Sequence, residues 1–435
     1  FEGGYHVLDE PAHYCSDLRP AAKQLWKKSI GILEMGILGA HGLPPMKSKD
    51  GWTTTDAYCV AKFGTKWVRT RTITNNFHPK WNEQYTWEVF DPCSIITIGV
   101  FDNNFHLQGG DKRIGKVRIR LSTLETDRVH THSYPLLVLH PSGVKKMGEI
   151  HLAVRFTCSS LLNMVHMYSQ PLLPKMHYIY PLTITQHNNL RHHAAQIVSM
   201  KLGQAVPPLK KEVVEYMLDV GCDMWTMRRS KANFLRIKEV FDGLIAVGKW
   251  FGEMYSGKNL IGTVAIHIIL FTLAMYPELI LSSIFLTLFS IGVWNYRWRP
   301  RYPPHMDTHL SCADNTHPDE LDEEFDTIPT SHPPDIISMR YDRLRRESGR
   351  IQRMVGDMAT VGERLQSLLR LERPNRYINV CIILFNCCYC SVCHTFTMLW
   401  SFRPVIFVLT HRNKRLPSVP INFFSRLPAR TDSML

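Results

Sequence analysis

The 435 residues contain no Asn-x-Ser/Thr acceptor, so nothing in the chain supports glycosylated, luminal exposure. A disulfide framework is also missing. Of 11 cysteines, five crowd between Cys381 and Cys393 and the others are scattered, which fits reduced thiols on the cytosolic side. No basic run is interleaved with aromatic residues, so the formal net charge of +13 does not point to nucleic acid. It points instead to anionic lipid, or to cytosolic loops beside a membrane. Neither an initiating Met nor a signal peptide stands at the start, and a piece of a longer protein is expected.

Enzyme signatures are equally scarce. Gly110-Asp111-Lys112-Arg113-Ile114-Gly115-Lys116 has phosphate-loop spacing, but Val117 replaces the required hydroxyl and a strand follows instead of a helix. Nowhere does a strand ending in paired acids lead into a small-residue phosphate loop. Cys387, Cys390, Cys393 and His394 have zinc-like spacing, yet their apolar setting argues against a metal. His192-His193 reads as surface.

What the chain does have begins at Ile30. Short runs with strand character, separated by turn signals, fill residues 29–159: Ile30–Ile37, Asp56–Phe63, Lys66–Thr72, Tyr85–Phe90, Ile95–Phe101, Ile114–Leu121, His132–Leu136 and Gly148–Phe156. About eight antiparallel strands at this spacing predict an all-β sandwich. Asp50 and Asp56 flank one loop. Asp102, Asn104 and Asp111 lie in a second, and Phe77-His78-Pro79-Lys80-Trp81-Asn82-Glu83 stands between them. Carboxylates on two loops are what an oxygen-seeking cation such as Ca2+ requires, and bound Ca2+ would turn the tip from repelling an anionic bilayer to attracting it. Asp and Asn are also ordinary turn residues, so spacing alone leaves both readings open. Lys62, Lys66, Arg69 and Arg71 form a basic candidate for lipid headgroups, with Arg69 and Arg71 read on one face and Trp67 on the other. A solvated strand face is the alternative.

Beyond the sandwich, 160–206 reads as a connector and 207–257 as an amphipathic helical region. Residues 258–300 hold an apolar run, Leu260 to Trp294, with no Lys, Arg or Asp, split near its middle by Pro277-Glu278. Each half is marginal for a span, and basic residues flank both ends, so a hairpin with both ends cytosolic is expected. One tilted span and a buried soluble hairpin remain as alternatives. An acidic, Pro-rich linker follows over 301–334, and residues 1–28 make a linker at the other end. The amphipathic helix at 335–373 carries Ile337, Leu344, Ile351, Met358 and Leu365 seven apart, with Tyr341, Ser348, Val355, Gly362 and Leu369 as a second seam. A coiled-coil or helix-hairpin seam competes with an ordinary amphipathic helix. Residues 374–412 are a second hydrophobic membrane segment, and 413–435 a basic tail.

Five strings carry a resemblance: Gly99-Val100-Phe101-Asp102-Asn103, Tyr134-Pro135-Leu136-Leu137, Lys211-Glu212-Val213-Val214-Glu215-Tyr216-Met217-Leu218-Asp219, Trp298-Arg299-Pro300-Arg301 and Leu416-Pro417-Ser418-Val419-Pro420. Together they resemble the plant multiple C2 domain and transmembrane region proteins of the FT-interacting type. The resemblance implies that 29–159 is a C2 domain, the last of several. It implies that the remainder is the family's membrane region, sometimes called a phosphoribosyltransferase C-terminal domain. It also implies a non-enzymatic tether, anchored in the endoplasmic reticulum with a cytosolic C2 domain that docks on anionic plasma-membrane phospholipid at contact sites and plasmodesmata. A soluble protein cargo, such as a mobile flowering signal, is an implied partner, and self-association through the membrane region or the 337–369 helix is a further expectation from the apolar segments and the helix seam. Asn104 stands where calcium-competent C2 loops carry Asp, which leaves that site one carboxylate short.

Overall fold

Alternating burial along Gly31–His41 (β1) sends Leu33, Met35 and Ile37 inward and leaves Ile32 half exposed, the pattern of a strand with one wet face. The computed structural model describes residues 29–49, 52–104, 110–140, 143–173, 177–178, 180–220, 225–255, 260–276, 303–314, 316, 334–370 and 417–434, with scattered positions between 283 and 294. After β1 come Lys47–Lys49 (β2), Trp52–Thr54 (β3), Ala57–Phe63 (β4), Lys66–Arg69 (β5), Lys80–Val89 (β6), Ile95–Asp102 (β7), Lys112–Arg120 (β8), Val129–His140 (β9) and Gly143–Cys158 (β10). Two antiparallel four-stranded sheets, ordered β6-β1-β10-β9 and β5-β4-β7-β8, face each other, and β2-β3 is a small separate hairpin. The expected sandwich is therefore present. Its core joins Leu33, Met35, Trp81, Ile96, Ile98, Val117, Leu136 and Leu152.

The two sheets differ in what covers their outer faces. Ala57, Cys59, Ala61 and Phe63 of β4 enter the core between the sheets, whereas Tyr58 and Val60 join Phe101 in a second apolar cluster on the outside. That cluster is completed by Leu209 and by Val213, Val214 and Met217 of helix α3 (Lys211–Leu218). Gly99 makes this approach feasible, because a Cβ there would lie 2.7 Å from the Met217 sulfur.

The connector expected over 160–206 holds two helices, α1 (Leu161–Ser169) and α2 (Ile184–Gly203). Both begin with a readable cap. Ser160 accepts from the Asn163 amide, and Thr183 and Gln186 form a reciprocal capping box. Further on lie α4 (Met227–Tyr255), α5 (Leu260–Met275), α6 (Pro334–Arg370) and α7 (Val419–Ser425). α4 and α6 pack through small residues and one buried ion pair. Gly362 meets Val240, Gly356 meets Asn233, and Arg236 donates to both Glu363 oxygens at 2.7 Å. The first seven-residue row is therefore not the packing face, whereas Gly362 of the second row lies in the contact. Leu344, Ile351, Met358 and Leu365 are exposed, while Gln352, Ala359 and Glu363 are buried.

α5 carries no charged residue, and Val264, Ile268, Ile269, Leu270, Phe271 and Met275 are all exposed. At 16 residues it is shorter than a bilayer core requires, and among the described residues no helix is long and apolar enough to cross a membrane. Most of the second arm of the expected hairpin, and all of 371–416, lie outside the described residues. The last segment returns to the sandwich. Arg120 pairs with Asp432 at 2.6 Å, and the fully buried Arg426 pairs with Asp91 at 3.3 Å.

Candidate functional site

The loop end of the second sheet gathers the predicted oxygen donors. Cross-strand pairing sets Ala57 opposite Asp102, so Asp56 and Asp102 meet where β4 begins and β7 ends. Asp102 Oδ1 accepts from the Asp56 amide at 2.8 Å, and the Asn103 amide donates to the Asp56 carbonyl at 2.8 Å. Pairing of Lys47 with Thr54 in the β2-β3 hairpin brings a lysine to the same place. Lys47 Nζ lies 2.8 Å from Asp56 Oδ2 and 3.4 Å from Asp102 Oδ1, and it donates to the Asn103 carbonyl. Burial raises the Asp102 carboxyl above its usual value, opposed by the Asp56 amide and by Lys47.

Asp111 heads a neighbouring group. Its Oδ2 accepts from the Tyr58 hydroxyl at 2.6 Å and its Oδ1 from the Asn104 amide at 3.0 Å. Lys210 Nζ, just ahead of α3, lies 3.0 Å from Asp111 Oδ1 and 3.1 Å from the Asn104 carbonyl. Burial pushes the Asp111 carboxyl up, but the Tyr58 hydroxyl, the Asn104 amide and Lys210 together hold it below the usual carboxylate value. Burial likewise pushes the Tyr58 phenol far up, so it donates at all physiological pH. Asp50 lies outside the described residues.

A C2 fold implies Ca2+ at such loops, and the described residues, which leave out Asp50 and 105–109, are not arranged to fit it. The Asp56, Asp102 and Asp111 carboxylates already hold ammonium groups. Among the described residues, Asp102 Oδ2 and Asn104 Oδ1 are buried oxygens without a hydrogen bond, and these two fall short of the six to eight that Ca2+ takes. Among the described residues no group of three or more His, Cys, Asp or Glu could hold a metal ion.

The four basic candidates are dispersed. Trp67 and Arg69 share the outer face with Lys62 and Val60, their cross-strand partners, while Val68 packs on the inner core. The expectation that Trp67 lies opposite Arg69 is thereby corrected: residues two apart in a strand share a face. The Arg69 guanidinium sits 4.0 Å from the Tyr58 ring centre and donates to the Pro208 carbonyl. Arg71 donates to the Trp81 carbonyl at 2.8 Å and lies 3.7 Å from Glu83. Lys66 is exposed, and Lys62, with its ammonium 6.0 Å from the Trp67 ring centre, lines a cavity of about 420 Å³ together with Arg191 and Lys201 of α2.

Comparison with known proteins agrees with this architecture. A C2 domain family model matches residues 31–136, and a plant phosphoribosyltransferase C-terminal model matches residues 281–435. FT-interacting protein 3 of Arabidopsis thaliana is 67% identical over all of this chain and 57% of its own length. Multiple C2 domain and transmembrane region protein 5 of the same plant is 63% identical, again over all of this chain and 57% of its own. The chain belongs to the multiple C2 domain and transmembrane region proteins. It spans a little over half the length of these relatives. Among solved structures, a C2 domain of plant extended synaptotagmin 1 aligns with 31% of this chain and 99% of its own, at 19% identity and a TM-score of 0.27. The C2 assignment rests on the family model and the strand order, not on that alignment.

For this family member, sequence reasoning found the loop carboxylates and missed what holds them. Lys47 had a faint signal, since it alternates with Lys49 just ahead of Asp50. Lys210 had none, because it lies about a hundred residues from Asp111. Tyr58 looked like an ordinary strand aromatic.

Proposed function

We propose that the chain is a non-enzymatic membrane tether. In this reading its apolar hairpin at 258–300 and the second segment at 374–412 sit in one bilayer, the endoplasmic reticulum membrane, with the C2 domain cytosolic. The C2 domain holds an anionic bilayer across a contact site or plasmodesma. The observation that carries the reading is α5, whose uncharged, apolar surface is exposed along its length and is stable only away from water. Phe234, Phe241, Ile245 and Trp250 on α4 are exposed as well. Support for the lipid contact comes from Lys62 and Lys66 at the β4-β5 turn and from Arg191 and Lys201 beside them. The relatives are named as FT-interacting and multiple C2 domain proteins, which supports a C2-protein reading.

A second reading, an adaptor for a soluble protein cargo, is favoured by the exposed apolar stripe on α6 and by the word "interacting" in the relatives' names. A vesicle-bridging assay separates the two. The full chain is reconstituted in neutral phosphatidylcholine vesicles and mixed with vesicles containing phosphatidylserine and phosphoinositide. A tether clusters the anionic vesicles and not neutral ones, and a Lys62→Glu/Lys66→Glu variant clusters them poorly. Absence of clustering with anionic vesicles refutes the tether and leaves the adaptor.

A further inference from the structure

The loop end of the C2 domain has a donor set of the kind a divalent cation would use, already filled from within the chain. Around Lys47 Nζ stand the carboxylates of Asp56 and Asp102 and the carbonyl of Asn103. Around Lys210 Nζ stand the Asp111 carboxylate and the Asn104 carbonyl. These are hard oxygen donors from both loops, and each ammonium collects carboxylate and backbone oxygens together, as Ca2+ does in loop sites. The Lys47 side chain is 13% exposed and that of Asp102 is fully buried, so this pairing is a desolvated one. Ca2+ entering here would have to expel both ammoniums, and each would then leave its partner oxygens for water.

We infer that Lys47 and Lys210 take the place of a divalent cation, so that two of the three carboxylate charges described at the loop end are offset permanently and without Ca2+. The two lysines do different things. Lys47 belongs to the C2 domain and closes its own loops. Lys210 belongs to the helical region, and its contact with Asp111 fastens the start of α3 over the outer face of the sheet. A cation that neutralises a loop is normally exchangeable. Here one of the positive charges is covalently part of the neighbouring region, so closing the loops and docking that region are the same event. Attraction to an anionic membrane is then set by fixed surface charge and does not vary with cytosolic Ca2+. The inference concerns the loop end alone and stands or falls without any lipid present.

The test is a lipid-free calorimetric titration of Ca2+ into the full chain in nonionic detergent, with the wild type, Lys47→Met/Lys210→Met, and Lys47→Arg. The wild type is expected to show no binding tighter than about 1 mM, the weak end of protein calcium sites. The double variant, with its carboxylates released, is expected to gain affinity at least about tenfold over that limit. Lys47→Arg keeps the positive charge and is expected to gain nothing. A melting curve of the wild type in Ca2+ and in chelator supplies a readout that does not depend on any variant folding, and the two curves are expected to coincide. A wild type that binds Ca2+ below about 1 mM, or whose melting temperature rises with Ca2+, overturns the inference. So does a double variant that is folded by circular dichroism yet gains no affinity. Vesicle clustering can fail while these results hold, so loss of the tether reading and loss of this inference are separate outcomes.

Discussion

The two sheets of the sandwich were built for different neighbours. In β6-β1-β10-β9 the central strand β1 alternates between buried and wet residues, as in any sheet with one face in solvent. In β5-β4-β7-β8 the central strand β7 is buried from Ile96 to Asp102 on both faces, because α3 lies over the outer one. An uninterrupted apolar run in an antiparallel sheet is thus the mark of a second covering layer. The C2 domain is not a bead on a string, and its covered sheet is shared property with the helical region.

The sharpest way to break this comparison is to place a charge under α3. Val213 is fully buried between the helix and the sheet, so Val213→Asp is expected to cost roughly 4 kcal/mol or more, as an unpaired buried charge does. Ile32→Thr, on the wet face of the other sheet, is expected to change stability by less than about 0.5 kcal/mol. Urea unfolding of the two variants decides it. Similar costs would mean that α3 does not cover the sheet in solution.

Electrostatic fastening comes next. Asp219 ends α3 in a left-handed conformation, and its two oxygens accept from Lys116 and Arg118. Lys116 is buried and also donates to the Tyr216 carbonyl at 3.1 Å, a cation placed at a helix C-terminus. Asp219→Asn keeps a residue that tolerates the left-handed backbone and removes the charge. The expected loss is roughly 2 kcal/mol, the range for a charge-assisted bond with a buried partner. Thermal melts at low and high salt check it, and a loss that vanishes at high salt in both proteins would show the pair to be solvent-screened.

A pair of glycines then tests packing without charge. A Cβ on Gly99 would meet Met217 and the Phe101 ring at 2.7–3.0 Å, whereas on Gly36 of the open sheet its nearest neighbour is 3.7 Å away. Gly99→Ala is expected to destabilise by about 1 kcal/mol, the lower end for overpacking because Met217 can shift. Gly36→Ala is expected to stabilise by about 0.5 kcal/mol, since a strand glycine costs backbone entropy. Equal signs in denaturant titrations would remove the distinction between the sheets.

How much of this could be read beforehand follows from the range of the interactions. Strand periodicity is local, so the sandwich, the turn carboxylates and the family strings were all visible in short windows. The run Ile95–Phe101 was visible too, but its message, a helix on the outer face, needed the partner Lys211–Asp219 from far along the chain. The error at Trp67 and Arg69 was of another kind: strict alternation already placed them on one face. On α6 the seven-residue stripe of Leu344, Ile351, Met358 and Leu365 was legible and its role was not, because the contact with α4 runs through Gly356 and Gly362. At the site, the acids were legible as acids. Their filling by Lys47 and Lys210 was not, since a lysine carries no local mark of the carboxylate it will meet.

The smallest expected effect belongs to the open sheet and tests whether the two sheets respond separately. His130 of β9 is buried, and its Nε2 accepts from the Glu125 amide at 3.2 Å. Burial pulls its pKa below the usual 6.5, Arg128 lowers it further, and Glu125 opposes both. A histidine with a depressed folded value binds fewer protons folded than unfolded. Its contribution is therefore complete above pH 6.5 and is lost as the pH falls below 6.5 through the folded value. Wild type is expected to lose more melting temperature between pH 7.5 and 5.5 than His130→Gln does, because glutamine keeps a hydrogen-bonding side chain and does not titrate. Hydrogen exchange over the same range locates the loss. If the sheets are independent in this respect, amides of β9 lose protection while those of α3 keep theirs. Parallel loss in both would mean that the covering helix is carried by the open sheet as well, and that the sandwich opens as one unit.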